Sequence, residues 1–240
     1  MIGGMLIGAA ALNVYAVLLV VFRAVGFHTK LYRPMLWNVW LSITPILVMG
    51  IGGLVSLLLL GVSTSLGVLS TVLFGIAWLL LLPNASYLIT ELNFSHRREN
   101  DPVPLWYDII LVISLAMSGV LNTIMNVFLA HLMYAARLHG DAASSLLKPD
   151  ALGFVGLVLL LLGFGMYLGR YLRLNSWDIR SPKRLAAKVW GHFREPANLR
   201  AGAAFTLTYA VFLGVMYVAV AGTAVLGLAM LEEVRSAVLP

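Results

Sequence analysis

The sequence has no cysteine among its 240 residues. That excludes disulfides, thiolate metal centres and cysteine nucleophiles, and it leaves the redox compartment open. Charge is nearly as scarce: Asp, Glu, Lys and Arg make up 11% of the chain, where a soluble globular domain carries about a quarter. With 61% hydrophobic residues and a mean hydropathy of +0.94, too little polar surface remains to face water. An ordinary soluble enzyme, a disordered tail, a coiled coil and a nucleic-acid binder are thereby excluded. Also missing are an H-E-x-x-H pair, a G-x-S-x-G elbow and a Walker loop. His28, His96, His131, His139 and His192 are scattered, so no metal or other cofactor is expected.

What the sequence does have is long apolar runs. A bilayer core of about 30 Å takes roughly 20 apolar residues in a helix. Six stretches meet that length, approximately Ile2–Phe22, Met35–Leu60, Leu66–Leu82, Leu105–His131, Ala151–Leu168 and Ala201–Leu231. Only helices suit them, because lipid cannot satisfy open backbone groups and the segments lack the alternation of a barrel strand. Spans two and three are divided only by Gly61 to Ser65, whose small polar residues fit a tight turn. The first run has no Lys or Arg ahead of it, and Arg23, Lys30 and Arg33 follow it. A secretory signal has the opposite polarity, so the run reads as a retained span.

Charge sets the expected orientation. Thirteen of the sixteen Lys and Arg residues fall in loops one, three and five, eight of them in the basic loop of residues 169–200. Arg137, Lys148 and Arg235 lie on the other side. The positive-inside rule then puts those three loops in the cytoplasm and both termini outside. All six tryptophans belong to the cytoplasmic half, as expected of rings that favour the headgroup layer. The expectation is an all-α, six-span helix bundle, N-out and C-out, forming one transmembrane domain over residues 1–240 in a bacterial cytoplasmic membrane.

Polar residues gather at the cytoplasmic ends of the spans. Leu82-Pro83-Asn84-Ala85-Ser86-Tyr87 closes span three, where Pro83 and Asn84 are expected to break the helix. Pro104-Leu105-Trp106-Tyr107-Asp108 opens span four, and Gly169-Arg170-Tyr171-Leu172-Arg173-Leu174-Asn175-Ser176-Trp177-Asp178 follows span five. The motifs PNASYLITEL, PLWYD and GRYLRLNSWD, in that order in a six-span chain, resemble the bacterial membrane proteins called domain of unknown function 1361. The resemblance runs from about Leu31 to Ala229. It implies the architecture and marks these motifs, and it carries no activity with it.

The candidate ligand-binding constellation is Asn84, Glu91, Asp108, Arg170, Arg173, Asn175 and Asp178. Arg170 and Arg173 are three apart on one helix face, at the end of span five where the helix dipole favours cations. Paired guanidinium groups suit a phosphate or carboxylate. The competing structural reading is that Asp108 caps span four and pairs with Arg170 or Arg173, while the arginines serve topology.

Four further features are legible. Ser114, Ser118, Asn122 and Asn126 recur every four residues on span four, a stripe suited to bonding across helices. Ser181-Pro182 opens a short amphipathic helix with Leu185, Val189, Trp190 and Phe193 near one face, expected to lie on the inner leaflet against anionic lipid. Glycines in spans five and six, including Gly163, Gly165, Gly169 and Gly202, allow close helix approach and leave room for a homo-oligomer. Glu232-Glu233 read as a solvated helix end. The leading functional expectation is binding of an anionic small molecule or lipid headgroup by Arg170 and Arg173, with Asn84, Asn175 and Asp178 orienting it. The alternatives are a secondary transporter with this cluster as inner gate, a membrane-embedded enzyme using Asp108 or Glu91 as general base, and a scaffold whose basic loop recruits a partner.

Overall fold

The computed structural model describes residues 2–89, 102–140, 142–172 and 181–238. Among them there is no strand. The elements are α1 (Ile2–Gly26), α2 (Arg33–Val62), α3 (Thr64–Ser86), α4 (Leu105–His139), a 3-10 turn (Ala143–Leu147), α5 (Pro149–Tyr171), α6 (Pro182–Phe193), α7 (Pro196–Tyr217), a π-helical turn (Val218–Gly222) and α8 (Thr223–Val238). Among the described residues, six helices are long and apolar enough to cross a membrane, the sixth running continuously from Pro196 to Glu232. Their outward faces are rows of exposed aliphatic side chains, such as Leu54, Leu57 and Leu58 on α2 and Val211, Val215 and Val218 on the last span. Such rows are stable against acyl chains and not against water. The chain is a multi-pass membrane protein.

Contacts cluster into two compact units, Met1–Thr123 and Ile124–Pro240, with the boundary inside α4. In the first unit, a single extended residue, Ser63, separates α2 from α3, its N–H bonding the Leu59 carbonyl at 2.8 Å. The five-residue break expected from the sequence is thus one residue long, and it folds the two spans into a tight antiparallel hairpin. Ser56 and Ser70 share a hydrogen bond of 3.0 Å across it. Gly67 lies against Leu60 with no space for a Cβ.

Pro83 does not end α3. The helix continues to Ser86 and tightens into a 3-10 turn over residues 87–89. A proline inside a span removes one backbone donor, and neighbouring groups can compensate. Here the Ser42 hydroxyl of α2 donates to the Ala85 carbonyl at 2.9 Å, one of the last carbonyls of α3, which have no intrahelical partner.

In the second unit, α5 and α7 cross so closely that a Cβ on Gly163 would stand 2.7 Å from the Thr206 carbonyl oxygen. The amphipathic helix α6 forms where the sequence places it, with Ser181 at the N-cap position and Pro182 opening the helix, although the Ser181 hydroxyl makes no capping bond. Pro196, which stops α6, is also the first residue of α7, the position where its missing N–H costs nothing.

Candidate functional site

The polar centre of the first unit lies between α1 and α4. Arg23 was expected in a loop beyond Phe22, but α1 runs on to Gly26 and buries it. The burial follows from spacing. Asn13, Ala16, Val20 and Arg23 recur at three and four residues and form the inward stripe of α1. Arg23 Nε donates to Asp108 Oδ1 at 2.8 Å, and the Asp108 side chain is wholly shielded from solvent.

Asp108 stands in the first turn of α4, one turn in from the cap position. Both side chains are buried in a unit whose apolar core contains Val20, Met35, Val39, Val103 and Leu111, and Arg23 also donates to the Thr29 hydroxyl at 3.4 Å. Phe27 packs edge-on against Tyr107 with ring centroids 5.0 Å apart. The Tyr107 hydroxyl donates to the Leu19 carbonyl at 2.7 Å, and Thr29 donates to the Arg23 carbonyl at 3.0 Å. His28, with φ 54°, turns the chain back at this end of α1.

Deeper in the same unit, Asn13 of α1 and Asn122 of α4 exchange amide hydrogen bonds of 2.8 and 3.0 Å. Asn122 also donates to Ser42 at 2.9 Å, and Ser42 passes the chain on to Ala85. One buried file of polar groups thus ties four helices together. Ser86 and Thr123 add a bond of 2.7 Å between α3 and α4. The stripe expected on span four is buried at all four positions. Its members act differently: Ser114 and Ser118 bond carbonyls of their own helix, while Asn122 bonds across helices.

The candidate anion-binding residues divide. Arg170 is exposed on the last turn of α5. Beside it Tyr171 is exposed and stacks on Tyr167 at 4.6 Å, and Phe205 and Tyr209 of α7 extend the ring series. Asn84 is half-buried in the last turn of α3, and Asp108 is held as described above. Glu91, Arg173, Asn175 and Asp178 lie outside the described residues.

A second group of polar residues, in the second unit, was not anticipated. His131 is fully buried, with Nδ1 2.7 Å from the Tyr217 hydroxyl, and Tyr217 directly precedes the π-helical turn. Eight residues along α4, His139 Nε2 lies 2.6 Å from Asp150 Oδ2, and its Nδ1 lies 3.1 Å from Lys148 Nζ. The ammonium has only donors, so Nδ1 accepts and Nε2–H donates to the carboxylate. Glu232 is not merely solvated: its carboxylate accepts the Ala143 N–H at 2.6 Å and ties α8 to the 3-10 turn. The sequence signal for these contacts is thin, since residues far apart in the chain supply the partners. Among the described residues, no three His, Asp or Glu side chains come together as a metal site would require.

No curated protein and no solved structure matches the chain. The family described as Protein of unknown function (DUF1361) matches it over residues 37–219, from the second turn of α2 to the π-helical turn, and so takes in Ser42, Asn84, Asp108, Asn122 and Arg170. On that match, this multi-pass chain belongs to the DUF1361 family.

Proposed function

We propose that this protein resides in the bacterial cytoplasmic membrane with both termini outside, and that the cytoplasmic end of α5 binds an anionic small molecule or lipid headgroup. Arg170 and Arg173 supply the positive charge, and Asn175 and Asp178 of the same segment orient the ligand. The observation that carries this reading is the exposure of Arg170 beside Tyr171 at a helix C-terminus. Cations are favoured there by the helix dipole, and a tyrosine ring is at home in the headgroup layer. A guanidinium that meets solvent keeps its donors for a phosphate or carboxylate.

The burial of Asp108 against Arg23 supports a structural role for that carboxylate over one as general base. A base must reach the proton it abstracts, and this one is enclosed.

The test is native mass spectrometry of the purified protein. Wild type is expected to retain phosphatidylglycerol or another anionic lipid, and R170Q/R173Q to release it while keeping its thermal stability. Equal retention by both proteins would remove Arg170 and Arg173 from the ligand site. A wild type that retains no lipid but is stabilised by inorganic phosphate, with the shift lost in R170Q/R173Q, would assign the site to a small anion.

A further inference from the structure

The sequence places the apolar side of α6 in the leaflet, but the structure uses that side inside the protein. Leu185, Val189, His192 and Phe193, at helical spacing, are the half-buried residues of α6. His192 Nε2 meets the Tyr167 hydroxyl at 2.9 Å, and the Phe193 ring stacks on Phe164 and Tyr167 at 5.9 and 5.8 Å. A Cβ on Gly202 would stand 2.8 Å from the Phe193 ring, so α7 leaves just enough room for it. The helix is thus docked on α5 and α7 through its apolar side.

A different stripe then faces outward. Lys183, Ala187, Trp190 and Arg194 stand at i, i+4, i+7 and i+11 and are all exposed, Trp190 to 67%. The Arg194 guanidinium lies over the Trp190 ring at 6.0 Å from its centroid. Arg184 and Lys188 flank the stripe, also exposed. At this end of the second unit Arg170 and Arg200 add two more exposed cations. Glu195 is the one carboxylate among the described residues between 170 and 200, and Asn198 donates to it at 3.2 Å.

We infer that the Lys183–Trp190–Arg194 stripe of α6 docks on the surface of an anionic phospholipid leaflet, with Trp190 in the headgroup layer between two phosphate-binding cations. Charge complementarity selects the occupant. Among the described residues of this end, six exposed cations against one engaged carboxylate match a dense, planar array of negative charge, and the helix belongs to a chain already seated in a bilayer. A large ring with a polar N–H favours the boundary between acyl chain and water. With its apolar side committed to α5 and α7, α6 has Trp190 as its one large ring to lay in the interface. The attraction is therefore mainly electrostatic and sensitive to salt. The inference does not rest on Arg170 or Arg173 holding a ligand.

The experiment measures Trp190 fluorescence, as the difference between wild type and W190F, in the full chain reconstituted into phosphatidylcholine bilayers with and without phosphatidylglycerol. Trp190 is expected to be shielded from aqueous acrylamide only when phosphatidylglycerol is present, and high salt is expected to reverse the shielding. K183Q/R194Q should weaken the response, each lost cation by about fivefold. K183R/R194K should retain it, which separates charge from folding.

Equal quenching in both bilayers would overturn the proposal, as would shielding that survives K183Q/R194Q. So would stronger shielding by soluble polyglutamate or an oligonucleotide than by phosphatidylglycerol, which would assign the stripe to a soluble acidic partner. If R170Q/R173Q releases bound lipid without changing the Trp190 response, the stripe and the α5 site are separate.

Discussion

Arg23 of α1 and Asp108 of α4 form a buried ion pair, Nε to Oδ1 2.8 Å, with side-chain exposures of 8% and 0%. The pair joins α1, all of which precedes the segment matched by the DUF1361 family, to a motif that the family match includes. With Asn13 opposite Asn122, it also sets the two helices antiparallel, and the C-terminal end of α1 meets the N-terminal end of α4.

Breaking this pair from one side should be worse than removing it altogether. R23M or D108L alone takes the oppositely charged partner from a buried charge, and each is expected to cost about 3–5 kcal/mol. The double variant R23M/D108L replaces both charges with apolar side chains of similar length and should cost less than either single change. Unfolding of the four proteins in detergent checks this. If the double variant is as unstable as the sum of the singles, the two residues do not act as a pair.

The file from Asn13 to Ala85 gives a graded expectation. Asn122 bonds two partners across helices, Asn13 bonds one across helices and one on its own helix, and Ser42 links Asn122 to the Ala85 carbonyl. Interhelical hydrogen bonds in membranes are worth about 0.6 kcal/mol on average and up to about 1.7. N122A should therefore destabilise more than N13A, and an N13A/N122A cycle should show coupling of that order. Additive losses would mean that the reciprocal amide bonds contribute nothing measurable.

The six spans were legible because their signal is composition over about twenty residues, which no single side chain can reverse. Their ends were less so. Helical geometry carried α1 past Arg23, which is paired with Asp108, and carried α3 past Pro83 to a last turn whose Ala85 carbonyl accepts from Ser42. Polar groups on one helix were visible as a stripe at Ser114, Ser118, Asn122 and Asn126. Their partners Asn13 and Ser42 were not, since one Asn and one Ser in an apolar run have no periodicity of their own. The same reason hid His131 with Tyr217, and Glu232 with Ala143. Of the candidate constellation, only Asn84, Asp108 and Arg170 fall within the described residues, and Asp108 is committed to Arg23.

Glycines divide into those the packing needs and those it does not. A Cβ at Gly163 would come within 2.7 Å of the backbone carbonyl oxygen of Thr206, which cannot rotate away. G163A should force α5 and α7 apart and cost about 1–3 kcal/mol. Gly156, on the same helix, has nothing within 4 Å of its added Cβ. G156A should be neutral or slightly stabilising, because alanine is the better helix former by about 1 kcal/mol. Thermal unfolding of the two variants checks the contrast, and equal effects would contradict the close crossing.

Orientation is the expectation on which the α5 site and the lipid-facing stripe of α6 both depend. Arg23, neutralised by Asp108, no longer counts as a free charge in loop one. Twelve Lys and Arg residues still remain in loops one, three and five against three elsewhere, so the positive-inside bias holds. The antiparallel α1–α4 pair independently puts the connection after α1 and the connection before α4 on one side. A C-terminal alkaline phosphatase fusion should therefore be active and a C-terminal green fluorescent protein fusion dark. A dark phosphatase with a bright fluorescent fusion would put Arg170, Lys183, Trp190 and Arg194 outside the cell, away from the anionic inner leaflet. The physical case for both sites would fall together.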